Sequence, residues 1–156
     1  MADQKTPGAP TSLSALLGRD HERLRVLFAQ LLDEFREGDR EELRATWTTF
    51  ESGLLAHLAA EERHLFPLFR KVDPEESSAL LREHGEFRRT LDELGVGVDL
   101  HSVKLDVAQA FVDALTAHGR REDQRLYQWA EEGVLPAGRE AVVRALAHDL
   151  AAPRGP

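Results

Sequence analysis

The chain has 156 residues, 42% of them hydrophobic and 31% charged, which is enough for one domain with a sizeable core and leaves disorder only to the ends. A formal net charge of −8, with no patch dense in Lys and Arg, excludes a phosphate-backbone footprint, so neither nucleic acid nor an anionic membrane is an expected partner. There is no cysteine, so disulfides and thiolate chemistry are excluded and any metal must be held by nitrogen and oxygen.

Ala, Leu, Glu and Arg dominate while Gly and Pro fall in clusters, the composition of long helices joined by short turns, and an all-α domain is expected. Residues 1–11 are polar, with Pro7, Gly8 and Pro10 and no signal-peptide apolar run, and no segment reaches the length of a membrane span. They read as a disordered arm on a cytoplasmic protein. The first helix opens after Thr11 or Ser12, carries Leu13, Leu17, Leu24, Phe28 and Leu31 at helical spacing, and ends at Gly38. A second starts near Asp39 or Arg40 and runs through Trp47, Phe50, Leu54, Leu58 and Leu65 to about Lys71, with its last turn bent at Pro67 and Asp73-Pro74 as its stop. The third covers roughly Glu75 to Leu94 and is broken by Gly95-Val96-Gly97; the fourth runs from about Ser102 to Ala130. A short last helix, about Gly138 to Ala151, lies across the others, and residues 152–156 form a disordered tail. Together, residues 12–151 describe an up-down-up-down four-helix bundle with an extra C-terminal helix.

The four long segments repeat in pairs. Laying the fourth on the second so that His118 meets His57 also sets Phe111 on Phe50, Leu115 on Leu54, Ala117 on Ala56, Glu122 on Glu61, Asp123 on Glu62, Leu126 on Leu65 and Tyr127 on Phe66. Laying the third on the first so that His84 meets His21 sets Leu80 on Leu17, Glu83 on Asp20, Phe87 on Leu24 and Arg88 on Arg25. The chain is therefore two similar helical hairpins, each with one lone His and one His-x3-Glu. Positions i and i+4 differ by about 40° around a helix, so such a His and Glu address one point from one face. Phe50 and Leu54 lie on the stripe that faces the core, as do Phe111 and Leu115, and they carry His57 and His118 inward with them.

Four imidazoles and two carboxylates buried without partners would cost several kcal/mol for each desolvated charge, at roughly the scale known for buried ions. A pair of metal ions removes that cost, since carboxylates bridging two ions with imidazoles at the ends is the ligand logic of dinuclear iron or manganese sites in bundle cores. The candidate ligands are His21, His57, Glu61, His84, His118 and Glu122. His101, at a helix start, and His148, on the short last helix, read as solvated; His64, two turns beyond His57, reads as a surface or supporting residue.

The run His57-x3-Glu61-Glu62-x2-Leu65-Phe66-Pro67, with Asp20-His21-Glu22-x-Leu24, resembles the hemerythrin-like (HHE cation-binding) family over about Ser14 to Ala130. That resemblance implies two iron ions, one on His21 and His57 and the other on His84 and His118, bridged by Glu61, Glu122 and a solvent-derived oxo or hydroxo group; manganese or zinc are the other candidates. Oxygen-carrying hemerythrins have a second His one turn along the third helix, where this chain offers Arg88 and Leu80, so one iron is short of a nitrogen ligand. They also bridge with an Asp five residues after the last His, a spacing that Asp123 meets. Glu122 is favoured by the repeat and Asp123 is the alternative. The open position points away from reversible carriage and towards binding dioxygen, nitric oxide or peroxide in sensing, storage or redox stress defence, with a partner protein needed for sensing. The alternative is a diiron enzyme that decomposes peroxide or oxidises a small molecule. Phe50, Phe87 and Phe111 either line the ligand pocket or simply pack the core.

Overall fold

The computed structural model describes residues 12–134 and 136–151, so the expected N-terminal arm and C-terminal tail lie outside the described residues. Those residues are helical and contain no strand. Helix α1 (Leu13–Glu37) starts where the Ser12 hydroxyl accepts the Ala15 amide at 3.0 Å and stops at Gly38, whose φ of 82° is a left-handed conformation that glycine adopts without strain. Helix α2 (Arg40–His64) is capped by Asp39, which accepts the Glu41 and Glu42 amides at 3.0 and 3.2 Å. Helix α4 (Pro74–Leu100) has Asp73 as its cap, accepting the Glu76 amide at 3.0 Å, with Pro74 in the first turn, where its missing N–H costs nothing. Helix α5 (Leu105–Arg121) leads through a π-helical turn (Glu122–Leu126) into α6 (Tyr127–Gly133), and α7 (Pro136–Ala151) follows.

Three boundaries differ from the sequence expectation. The second helix does not bend at Pro67 and carry on to Lys71: it ends at His64, and Pro67 opens a separate short helix, α3 (Phe66–Phe69). Proline has no N–H to return to residue 63 and its ring crowds that carbonyl, so the break falls just before it. Gly95 and Gly97 do not end the third helix, which continues to Leu100. They serve instead as close-approach positions: a Cβ on Gly97 would lie 3.3 Å from Val103, and one on Gly95 3.5 Å from the Trp47 indole nitrogen. The helix stops at His101, with φ 54°, as the His101 and Ser102 amides turn back to the Val98 and Gly97 carbonyls at 3.3 and 2.8 Å. His101 therefore ends a helix rather than starting one. The third difference is the π-helical turn, which no sequence signal announced.

Helix α1 packs against α2, α2 against α4, α4 against α5 and α5 back against α1, so the long helices close a ring, while α7 lies against α1 and α2. The core inside this ring is split in two. One part holds Leu24, Phe28, Leu31, Trp47, Phe50, Leu54, Phe87, Leu91 and Phe111; the other holds Leu13, Leu17, Leu65, Phe66, Leu80, Leu126 and Tyr127. Between the two parts each of the four helical strands of the ring contributes buried or half-buried polar side chains. Apolar packing on both sides of that layer supplies the burial that lets it exist. A polar layer of this kind is expensive unless its groups satisfy one another or a ligand.

Candidate metal centre

All six candidate ligands meet in this layer. His57, Glu61, His84, His118 and Glu122 are buried, Glu61, His84 and Glu122 having no exposed surface, and His21 is half-buried. Their donor atoms form two overlapping groups, His21–His57–Glu61–Glu122 and His84–His118–Glu61–Glu122, each with all its atoms within 4.8 Å of one another. The two carboxylates belong to both groups and each histidine pair to one. Asp123 is exposed and lies outside both, so of the two acids offered by the sequence it is Glu122 that enters the layer.

Three of the imidazoles are held from behind by carboxylates. His57 Nδ1–H donates to Asp20 Oδ2 at 2.8 Å, His84 Nδ1–H to Glu62 Oε1 at 2.9 Å, and His118 Nδ1–H to Glu83 in a short contact. Glu62 is fixed in turn by Arg88, which donates to it twice at 2.8 and 3.0 Å. Burial pushes the Glu62 carboxyl up, but the hydrogen bonds from His84 and Arg88 outweigh it and hold the group down at about 2. Sequence reading missed Asp20 and Glu83 as supporting groups, although the repeat aligned them one residue before each lone His. Arg88, noted only for the histidine it replaces, braces the acid behind His84.

These bonds hold a proton on Nδ1 of the three rings, so that Nε2 carries the lone pair whenever the ring is neutral, and every Nε2 points into the layer. His84 and His118 then face each other across 3.1 Å between their Nε2 atoms, and His21 and His57 across 2.9 Å. Glu61 Oε2 and Glu122 Oε1 are enclosed and accept no hydrogen bond, although His84 Nε2 lies 3.5 Å from each and His118 Nε2 2.5 Å from Glu122 Oε1. Acceptor against acceptor at these distances is repulsive, and only protons or cations between them relieve it. In protonic form, burial disfavours the charged imidazoles, but Glu61 and Asp20 raise His57 to about 10, and Glu122, Glu61 and Glu62 raise His84 to about 11. Imidazoles braced from behind by carboxylates and converging on shared carboxylate oxygens fit divalent or trivalent cations of the nitrogen- and oxygen-seeking kind.

Residues 12–148 match the Hemerythrin HHE cation binding domain family. The chain belongs to that family. No curated protein and no solved structure matches it in the corresponding comparisons. The family accounts for the cation-binding character of the layer, and the features that follow are those of this HHE chain.

Tyr127 stands inside the layer. Its hydroxyl donates towards Glu122 Oε2 at 2.9 Å and makes a short contact with Glu61 Oε1, while Oη lies 3.0 Å from His21 Nε2 and 3.5 Å from His57 Nε2. The π-helical turn puts it there, because five residues per hydrogen-bonded turn bring position 127 under position 122, which an α-helix would carry off by about 140°. The alignment of Tyr127 with Phe66 was the signal in the sequence. His21 differs from the other three imidazoles: it has no carboxylate on Nδ1 among the described residues, and its ring lies over Gly119, where a Cβ would come within 3.4 Å of it.

A cavity of about 310 Å³ opens between α1 and α5, from Gly18, Glu22, Arg25, Thr116, Arg120 and Asp123 at its mouth to His21, His57 and His118 at its floor. Phe50 lines it, as the sequence suggested. Phe111 and Phe87 do not; Phe111 packs edge-on against Phe28, Phe50 and Phe87, and Phe87 stands edge-on to His118 at 4.9 Å. The opening reaches His21 and His57 on one side and His118 on the other, while His84 does not line it. Leu80 is buried in the core and Arg88 is occupied by Glu62, so the positions around His84 are closed. The remaining histidines lie apart from the layer: His64 Nε2 is 2.8 Å from Asp149 of α7, His101 ends α4, and His148 is exposed. Among the described residues no helix is long and apolar enough to cross a membrane.

Proposed function

We propose that this HHE domain binds two iron ions side by side, one on His21 and His57 and one on His84 and His118, with Glu61 and Glu122 bridging. The observation that carries this reading is the sharing of both carboxylates by two histidine pairs, since a single-ion site would use each acid once. The long helices α1, α2, α4 and α5 form the up-down-up-down arrangement that this needs, given their ring of contacts and short connections. Iron is taken from the family, since the same donor set would also take manganese or zinc.

With iron bound, the centre supplies redox chemistry and affinity for dioxygen, nitric oxide or peroxide. The chain's own part is to hold the Nε2 atoms of His57, His84 and His118 inward through Asp20, Glu62 and Glu83, to exclude bulk water with two apolar layers, and to admit small molecules between α1 and α5. The reading is of a diiron protein of the cytoplasm that takes up such a ligand in sensing, storage or redox stress defence. A second reading, a diiron enzyme that removes peroxide or oxidises a small molecule, is favoured by the cavity, whose volume of about 310 Å³ is several times what a diatomic molecule fills.

Metal content and the visible spectrum of the oxidised protein test the first claim. Two irons per chain with oxo-bridge bands in the near ultraviolet are expected; zinc alone, or no metal, would overturn it. Consumption of dioxygen or peroxide by the reduced protein separates the two readings, because turnover beyond one equivalent per chain belongs to an enzyme.

A further inference from the structure

The two half-sites are built from repeated residues, yet one of them contains an atom that the other lacks. Tyr127 Oη lies within 3.5 Å of the nitrogen or oxygen donor atoms of His21, His57, Glu61 and Glu122, which together are the whole first group. It is also fully buried, with 1% of its surface exposed. The aligned residue in the other half, Phe66, occupies the equivalent place, its ring 5.0 Å from His84 as the Tyr127 ring is 5.4 Å from His21. Phe66 brings no oxygen. The second half also departs from α-helical winding at Glu122–Leu126, the turn that sets Tyr127 below Glu122.

From this geometry we infer that Tyr127 is a fifth protein donor for the ion held by His21 and His57, bound through its phenolate oxygen, so that the two ions have unlike ligand sets. This rests on the diiron reading above. When the ion binds, the phenol O–H breaks, its proton leaves to solvent, and an oxygen–metal bond forms in its place, with no change of oxidation state. The hydrogen bonds to Glu61 and Glu122 are then lost, and both carboxylates become free to bridge. Phenylalanine fits the same volume in the other half, so the tyrosine is not needed to fill space.

The chain has one tyrosine, so any phenolate signal is that of Tyr127. The experiment is to load the purified full chain with ferric iron, measure iron per chain, and record the visible spectrum and the resonance Raman spectrum excited within it. A phenolate-to-iron charge-transfer band with tyrosinate ring vibrations is expected at two irons per chain. Y127F should lose that band and those vibrations while keeping its histidine ligands and at least one iron. Two bound irons with no phenolate vibrations, or a Y127F band identical to that of the native protein, would overturn the inference and leave the diiron reading intact. Failure of the native chain to bind iron at all would overturn both. A tyrosine that only braces the carboxylates predicts lower thermal stability in Y127F with an unchanged spectrum, which also counts against it.

Discussion

The half-site of His21 and His57 and the half-site of His84 and His118 arise from the same repeat and end up different. On the His84 side both imidazoles are backed by glutamates, Glu62 and Glu83, the neighbouring ring is Phe66, and His84 does not line the cavity between α1 and α5. On the His21 side only His57 is backed, by Asp20; Asp123, the counterpart of Glu62, is one methylene shorter and stays exposed, and among the described residues His21 has no acid behind it. Arg25, the counterpart of Arg88, pairs with Glu22 at the surface instead. The repeat thus gives a nearly symmetric cage, and three local differences leave one end with both imidazoles braced and the other with one unbraced imidazole and a tyrosine, while the cavity borders His21, His57 and His118.

Breaking what the halves share should have the largest effect. Glu61→Ala or Glu122→Ala removes a carboxylate common to both groups, so both ions should go together and metal content should fall from two per chain towards none. Because imidazoles held in charged form by those acids lose their partner, thermal stability should fall as well, on the order of 3 to 5 kcal/mol as for other broken buried pairs. Metal analysis and thermal unfolding check this. Loss of one ion with the other retained would show that the acid serves a single half. His148→Ala, on an exposed side chain, should change neither quantity.

The next effect concerns protons and should not distinguish the halves. In the metal-free chain His57 and His84 sit at about 10 and 11, above the roughly 6.5 of an unfolded imidazole. A folded value above the unfolded one stabilises fully below about pH 6.5, and that stabilisation is lost as pH rises towards 10 to 11. The apoprotein should therefore lose stability steadily from neutral to alkaline pH, while metal affinity over the same interval should rise, because the ligands must shed those protons to bind. Unfolding curves of apo and loaded protein across this window are the measurement. Parallel behaviour of the two forms would mean that metal does not displace protons from these imidazoles.

What the sequence made legible follows the same division. The starts at Ser12 and Asp39, the stop at Gly38 and the inward stripe carrying His57 and His118 are local signals, and each lies where its pattern placed it. The repeat was enough to bring six side chains into one layer, because i, i+4 spacing and an apolar face determine direction. One miss is local, since Pro67 breaks the second helix rather than bending it, and the others are tertiary. Whether Gly95 and Gly97 break a helix depends on whether Trp47 and Val103 press against them, and the π-helical turn depends on what surrounds Glu122. Which acids reach their histidines depends on packing between helices, and a pattern of residue types does not contain those distances.

The smallest expected effect is the most direct test of the asymmetry itself. Glu62→Gln leaves an oxygen near His84 Nδ1 but removes the charge that fixes its proton and that Arg88 holds, and loss of such a supporting acid typically costs about 10- to 100-fold in metal affinity. Asp123→Asn, at the aligned position, touches no imidazole nitrogen and should cost clearly less than about 10-fold by the same reasoning. Competition with a chelator, read as the affinity of each of the two ions, measures both. Equal losses would mean that Asp123 supports His21 once metal is bound, and the halves would then be alike in everything but the tyrosine. A loss confined to Glu62→Gln would place the difference in the bracing of the histidines as well, with the weaker ion on the side of the unbraced His21.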